Sequence, residues 1–308
     1  MDSKLAYYIL KRVLLAIVTV FLVITITFFV MNAVPGGPFL GEKAVTEAVM
    51  KALEAKYGLD KPLGEQYLTY LKGIITFDFG PSLKLRGKEV IDIISVGFKT
   101  SAKIGGIAAV LAVILGVTLG SIAAIKRNKF TDKTIMVLST AFVATPSFII
   151  ASFFLIIFCV NYQIFPARGD TTAGLIVPII ALSLYPMSYI TRLTRSSMLE
   201  VLGQDYIRTA RAKGVKSSKV IFKHALKNAL IPVLTYIGPM LAYILTGSLV
   251  VERIFSVPGL GRSFVNSITN RDYTLIMGTT IFLASLIVIL NLVTDILYKL
   301  VDPRIDFS

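Results

Sequence analysis

The chain has 308 residues, of which 55% are hydrophobic, and its mean hydropathy is +0.76. A water-soluble domain rarely carries so large an apolar share, because it must also cover its surface with polar groups. The formal net charge of +14 would suit a nucleic-acid-binding protein, yet the basic residues lie in a few short segments between hydrophobic runs. The composition therefore excludes an ordinary soluble domain and indicates an integral membrane protein without a nucleic-acid partner.

Six nearly uncharged runs are each long enough to cross about 30 Å of hydrocarbon as a helix. They cover residues 13–31, 104–125, 135–160, 174–191, 229–251 and 275–298. The first run has a basic flank like that of a signal peptide, but it is longer than a usual signal core and lacks a clear small-x-small cleavage site. We expect a retained first span and five further spans.

Lys and Arg are dense in the N-terminal segment, the 126–133 link and the 192–227 insert. The long 35–103 segment also carries basic residues, but they are mixed with acidic ones, and a loop of that length is a weak orientation signal. The positive-inside rule then places both termini and these two links in the cytoplasm. The expected organisation is an N-terminal segment with the first span (1–34), an extracytoplasmic loop (35–103) and a five-helix core (104–308). Within that core, residues 196–230 form a cytoplasmic loop and residues 252–273 an extracytoplasmic one.

The 35–103 segment begins with Pro and Gly residues that end the first helix. Apolar residues at helical spacing then predict a short amphipathic helix ending at Gly58, namely Val45, Val49, Ala52, Leu53 and Tyr57. A second short helix is expected after Pro62. Two interpretations of this external subdomain stay open: capping of the bundle and docking of a partner.

Several predicted spans contain glycine or proline residues. Gly116 and Gly120 form a GxxxG pattern that permits close helix packing. Pro146, Pro178 and Pro186 are expected to kink or interrupt their helices, which a membrane tolerates where protein or a water-filled cavity satisfies the freed backbone groups.

Polar side chains inside the spans are the candidates for a translocation path. Ser183, Tyr236 and Asn291 either line such a path or form hydrogen bonds to neighbouring helices, and the sequence favours the second interpretation for each of them singly. Asp295, near the cytoplasmic end of the last span, is expected to make a structural contact, for example to Lys299.

The insert at 205–232 combines two patterns. Lys219, Lys223 and Lys227 recur at helical spacing opposite apolar residues, as expected of a helix at the membrane surface. The preceding "RTARAKG" instead predicts a compact helix that Gly214 ends, and such a rigid knob suits a protein socket better than lipid.

The stretch "DYIRTARAKGVKSSKVIFKHALKNALIPVL" resembles the EAA-type cytoplasmic loop of membrane subunits of ATP-binding-cassette (ABC) importers, in the form typical of the peptide and nickel permease subfamily. Arg208 stands where the wider superfamily has Glu. Further segments resemble the oligopeptide permease B subunit in the same order: "FDFGPSLK", "VLAVILGVTLGSIAAIKRN", "TPSFI", "PIIALSL", "GSLVVERIFSVPGLGRSFVNSITNRDYTLIMG" and "DILYKLVDPRID".

This resemblance implies an all-α polytopic protein with six transmembrane helices, both termini inside, and the type I ABC importer permease fold, in the plasma or inner membrane of a prokaryote. Its implied partners are a second homologous permease, two ATPase subunits that bind ATP and Mg, an extracytoplasmic peptide-binding protein, the peptide and membrane lipid. The chain itself would bind no cofactor and catalyse no reaction.

The resemblance also implies that the helix ending at Gly214 couples to an ATPase. The residues concerned are Asp205, Tyr206, Arg208, Thr209, Ala210, Arg211, Lys213 and Gly214. Among them Tyr206, Thr209, Ala210 and Lys213 are the expected contacts and Gly214 fixes the turn. For Arg208 and Arg211 the alternative role is to hold the loop to nearby acidic groups.

A second set of residues lies on the expected external side. Two interpretations of this set are open: docking of the binding protein or gating of the external mouth, and simple anchoring of the last span. The set comprises Glu252, Arg253, Pro258, Gly259, Arg262, Arg271 and Asp272.

Other functions fit less well. No Walker A sequence is present, because Glu42 stands in "GGPFLGE" where a phosphate-binding Lys is required. Cys159 and His224 are single, so they form no disulfide and no His or Cys metal cluster within the chain. An intramembrane protease would need a second embedded acid. The cargo alternatives are dipeptides, nickel chelates or haem, and a distant alternative is a secondary transporter, which would more often show an internal repeat.

Overall fold

The structure is a computed structural model that describes residues 3–35, 37, 51, 55 and 57–301, with no side-chain description for 3–6, 246–247 and 297–301. Its helices are α1 (Ser3–Ala33), α2 (Leu63–Ile75), α3 (Val90–Ile125), α4 (Phe130–Ala144), α5 (Ser147–Phe154), α6 (Ile176–Leu202), α7 (Asp205–Ala212), α8 (Ser217–Lys219), α9 (Leu226–Ala229), α10 (Ile231–Ile254), α11 (Leu260–Asn270) and α12 (Tyr273–Val301). π-helical turns follow α5 (Leu155–Asn161) and α8 (Val220–Ala225).

Five of these helices are long and apolar enough to cross a membrane alone, and a bent pair makes a sixth candidate if it counts as one span. The predicted second span is the C-terminal part of a longer helix, because α3 already begins at Val90, inside the predicted external loop 35–103. The amphipathic positions Val45, Val49, Ala52 and Leu53 lie outside the described residues. The second predicted helix is confirmed as α2.

The third span, expected as one run over 135–160, is two helices that meet at an angle of 104°. Thr145 adopts extended backbone angles (φ −90°, ψ 125°), which the ring of the following Pro146 imposes on its predecessor. Pro146 therefore breaks the helix, as predicted. Pro178 and Pro186 do not interrupt α6, which runs continuously from Ile176 to Leu202. Pro178 lies in the first turn, where its missing N–H does little harm, and Pro186 lies inside the helix.

The chain divides into two compact units, Met1–Thr100 with Gly259–Leu292, and Ser101–Pro258 with Val293–Ser308. In the first unit, Phe28 of α1 packs its ring 5.2 Å from Tyr67 and 5.5 Å from Tyr70 of α2. Gly278 of α12 leaves room for Val90 of α3, since a Cβ there would lie 2.5 Å from Val90 Cγ1. The ring contacts hold α2 against the C-terminal part of α1, and Gly278 lets α12 approach α3 closely.

In the second unit, α6 is the central helix and packs against α4, α5 and α10. Gly116 and Gly120 of α3 face it closely: a Cβ on Gly120 would lie 2.5 Å from the carbonyl oxygen of Thr191. The GxxxG pattern therefore serves close helix packing, as predicted. In the most hydrophobic stretch of α6, 56% of the residues are buried, which makes this helix the core of the unit.

Candidate functional site

Helix α7 follows α6 after a link of only two residues, Gly203 and Gln204. Gln204 is extended (φ −73°, ψ 150°) and starts the new helix, whose first turn carries Asp205, the charge that a helix N-terminus favours. The predicted compact helix is therefore present. Only this short link of Gly203 and Gln204 separates α7 from α6.

The end of α7 is a Schellman motif. Gly214 has φ +73°, its N–H donates to the Arg211 carbonyl at 2.9 Å, and the N–H of Val215 donates to the Ala210 carbonyl at 3.2 Å. Only glycine adopts this left-handed conformation without steric cost. The predicted role of Gly214 in fixing the turn is confirmed.

Ile207 anchors α7 to the rest of the unit. Its side chain is completely buried, in a cluster with Met198 of α6 and with Val220, Ala225 and Ala229 of the following helical segment. A hydrogen bond adds to this anchor, since Asn228 Nδ2 donates to the Tyr206 hydroxyl at 2.8 Å. Sequence reasoning missed Ile207, although it is the one large aliphatic residue in "DYIRTARA".

The opposite surface of α7 is exposed and polar. Arg208 and Thr209 lie on it, and Arg208 extends an Nη1 to Asp205 Oδ1 at 3.5 Å across one turn. Ala210 differs from the other predicted contacts because it is half-buried and packs against the cluster around Ile207. The exposed members of the predicted set are Asp205, Tyr206, Arg208, Thr209, Arg211, Lys213 and Gly214.

A partly buried ion pair ties α4 to α6 on the same side of the spans. Arg195 donates through Nε and an Nη2 to the two oxygens of Asp132, at 2.6 and 2.8 Å, and the backbone N–H of Asn128 donates to the same carboxylate at 2.8 Å. The Asp132 side chain is 3% exposed. The basic residues of the 126–133 link predict only its topology and not this pair, whose partners lie 63 positions apart.

The external candidates separate by burial. In the second unit, Arg253 and Pro258 are exposed, whereas Glu252 is buried. In the first unit, Gly259 is buried, Arg262 is half-buried and Arg271 is exposed with a left-handed backbone, φ +56°. Only the exposed residues of this set can therefore contact a partner directly, because the buried ones have no accessible surface.

Asp272 has an internal structural role. Its carboxylate accepts hydrogen bonds from the Ser82 hydroxyl, from the N–H of Leu83 at 3.1 Å and from the N–H of Leu275 at 3.3 Å. The last of these caps the first turn of α12. Asp272 therefore anchors the start of the last span, which is the alternative that the sequence left open.

The three predicted path residues occupy different environments. Ser183 is buried and its hydroxyl donates to the Ile180 carbonyl at 2.8 Å, so it points into its own helix. Tyr236 of α10 is half-buried and stacks on Tyr189 of α6, with ring centroids 4.2 Å apart. Asn291 is exposed on α12.

Comparison with known proteins agrees with this architecture. Residues 116–307 match the family described as the binding-protein-dependent transport system inner membrane component, and residues 5–104 match its N-terminal companion. The dipeptide transport system permease protein DppB of Bacillus subtilis is 49% identical over 98% of this chain and 98% of its own length. The oligopeptide transport system permease protein OppB of Salmonella typhimurium is 45% identical over 97% and 99%.

A crystal structure of an amino acid ABC transporter with histidines has the same fold. Its TM-score is 0.52 at 17% identity, and the match covers 70% of this chain and 94% of that chain. The family match covers more than half of the sequence and the relatives align over nearly all of it. The chain belongs to the family of inner membrane components of binding-protein-dependent transport systems.

Proposed function

We propose that this chain is a permease subunit of an ABC importer of oligopeptides, forming half of the translocation pathway and coupling to an ATPase subunit through α7. The names of the relatives support peptides as cargo, and the dipeptide permease of Bacillus subtilis makes dipeptides an equally supported alternative. The remaining half of the path comes from a second homologous permease.

The observation that carries the proposal is the construction of α7. One side is anchored by the buried Ile207 and the other presents exposed charged and polar groups. A helix held in this way moves as a rigid body, so a push on its outer surface reaches α6 through the two-residue link. A flexible loop would absorb the same movement.

In the proposed complex this chain catalyses no reaction, and each step is assigned to a particular subunit. ATP and Mg are bound by two partner ATPase subunits, and closure of these subunits moves α7. An extracytoplasmic binding protein delivers the peptide on the other side, and the exposed Arg253, Pro258 and Arg271 are candidates for its contact. The spans then alternate between inward-open and outward-open arrangements.

The test is copurification from mild detergent of wild type and a Lys213→Glu variant, followed by an ATPase assay. Lys213 is exposed, so the charge reversal should leave the fold intact while placing a carboxylate in the socket, where an unmatched charge is costly. We expect loss of the ATPase subunits or of their stimulation by the loaded binding protein, and recovery with Lys213→Arg.

Lys133→Glu is the matched control, because it makes the same charge change at an exposed position on the same side of the spans. It should leave copurification unchanged. If wild type is purified alone and still transports solute without ATP, the proposal is wrong.

A further inference from the structure

Four tyrosines form a continuous aromatic surface on two neighbouring helices of the second unit. Tyr185 of α6 lies against Tyr243 of α10 with ring centroids 5.0 Å apart, and Tyr189 lies against Tyr236 at 4.2 Å. Both pairs are tilted stacks, at 34° and 30°. We call these four residues the tyrosine face.

The tyrosine face runs from the middle of the spans toward the side that carries α7. At a rise of 1.5 Å per residue, Tyr185 is about 14 Å from the start of α6 and Tyr243 is about 17 Å from the end of α10. Tyr189 and Tyr236 lie nearer to the side that carries α7, since Tyr236 is about 8 Å from the start of α10. Tyrosines that anchor helices at membrane interfaces lie near the ends of the membrane-crossing segment, so the mid-span pair Tyr185 and Tyr243 needs another explanation.

The tyrosines are also accessible. Tyr189 is 40% exposed and Tyr243 is 39% exposed, while Tyr185 and Tyr236 are half-buried. On α6 the outward positions continue at helical spacing from Tyr185 and Tyr189 to Arg192 and Ser196. This stripe is polar from the middle of the span to the side that carries α7.

The backbone of α10 adds a further polar group beside the same surface. Pro239 is exposed between Tyr236 and Tyr243 and has no N–H, so the Thr235 carbonyl lacks its usual helical donor. Hydroxyls and such carbonyls are costly against hydrocarbon. The combination argues for water or polar substrate, rather than lipid, over the tyrosine face.

We propose that the tyrosine face is the wall of the translocation path that contacts the peptide in transit, an inference that rests on the function proposed above. Tyrosine suits a cargo of varied sequence, because its hydroxyl bonds to any peptide amide while its ring packs against any side chain. Tyrosine offers a polar hydroxyl and an aromatic ring rather than a fixed charge, so the surface does not select peptides by the charge of their side chains.

The experiment uses the complete transporter, with its partner permease, ATPases and binding protein, in proteoliposomes. Radiolabelled dialanine and pentaalanine are offered to wild type first, and failure to take up either with ATP overturns the proposed function and this inference together. With the transported peptide, we compare wild type with the Tyr189→Phe/Tyr236→Phe and Tyr185→Phe/Tyr243→Phe variants, which keep the rings and remove the hydroxyls.

We expect uptake by each double variant to fall by about fivefold or more, since one hydrogen bond to substrate is worth roughly that factor. Subunit copurification should stay intact, and the loaded binding protein should still stimulate ATP hydrolysis. For a peptide of the same length with Lys and Glu side chains, uptake by each double variant relative to wild type should fall by a similar factor. The matched control is Tyr7→Phe on α1, where the tyrosine is 69% exposed and the same change should have no effect.

Two outcomes would overturn the inference while leaving the proposed function standing. If the variants lose the second permease on purification, the tyrosine face is a subunit interface. If uptake is unchanged, the surface faces lipid or plays no part in transport.

Discussion

Helices α1 and α6 are both long enough to span a membrane, yet they are built differently. Only 11% of the most hydrophobic stretch of α1 is buried, against 56% for α6. The exposed positions of α1 are mostly large and apolar, such as Leu10, Leu14 and Ile17. The outward stripe of α6 begins with Ile176 and Ile180 and is polar from Tyr185 onward, and the helix also carries a partly buried ion pair and close glycine contacts.

This difference in burial distinguishes a span that mainly faces lipid from a span that mainly contacts other helices. A helix that is apolar all round is suited to contact with lipid, and its side chains gain little from association because lipid is equally apolar. A helix with small, polar and charged contacts is held by packing and hydrogen bonds. The less hydrophobic of the two helices, α6, has a mean hydropathy of 1.7 over its most apolar stretch against 3.0 for α1, and it is the one that continues into the exposed helix α7.

The largest effect should come from breaking the ion pair that holds α6. Asp132→Ala removes two hydrogen bonds between charged groups, each worth about 1.5–3 kcal/mol, from a carboxylate that is 3% exposed, so the loss should be about 3 kcal/mol. Thermal unfolding in detergent should show a clear fall in the unfolding midpoint. The control is Asp205→Ala, whose carboxylate is 96% exposed and should be dispensable for stability. Equal midpoints for the two variants would mean that the pair contributes nothing to holding α6.

A smaller effect is expected where α3 approaches α6. Gly120→Ala places a methyl group 2.5 Å from the Thr191 carbonyl oxygen, and relieving such a contact requires backbone shifts that cost about 1–3 kcal/mol. Gly106→Ala is the matched control on the same helix, since its Cβ would meet nothing within 4 Å. Unfolding in detergent should rank Gly106→Ala above Gly120→Ala, and the reverse order would contradict the packing seen here.

The smallest effect is expected on α1. Leu14 is 54% exposed, so Leu14→Ala removes a side chain that has similar surroundings before and after assembly in a membrane. We expect a change below about 0.5 kcal/mol in unfolding and unaltered peptide uptake. A large loss of stability or of copurification would show that this surface of α1 is covered by a partner, and the contrast with α6 would then disappear.

Much of the fold could be predicted because its causes are local. The length of apolar runs defines the spans, and the ring of Pro146 acts on its immediate neighbour, so the break in the third span was predictable although its angle was not. Gly214 could be assigned from the pattern before it, because a helix C-terminus needs a left-handed residue there.

The candidate site was only partly predictable. The exposed surface of α7 follows from its polar composition, but the half-burial of Ala210 depends on the direction in which Ile207 anchors the helix. Docking and anchoring roles for Asp272 could not be separated from the sequence, because the deciding donors, Ser82 and Leu83, lie about 190 positions away.

The sequence by itself determined that this is a polytopic membrane protein with a rigid helix in its basic insert, because hydropathy, charge and helix-ending residues act over a few positions. Only the tertiary structure decided that Asp132 meets Arg195, that Ile207 is buried and that Tyr185, Tyr189, Tyr236 and Tyr243 share one surface. Those facts depend on which helices pack together and at what rotation. That choice is made by the summed contacts of whole helices, and no short stretch of the chain contains it.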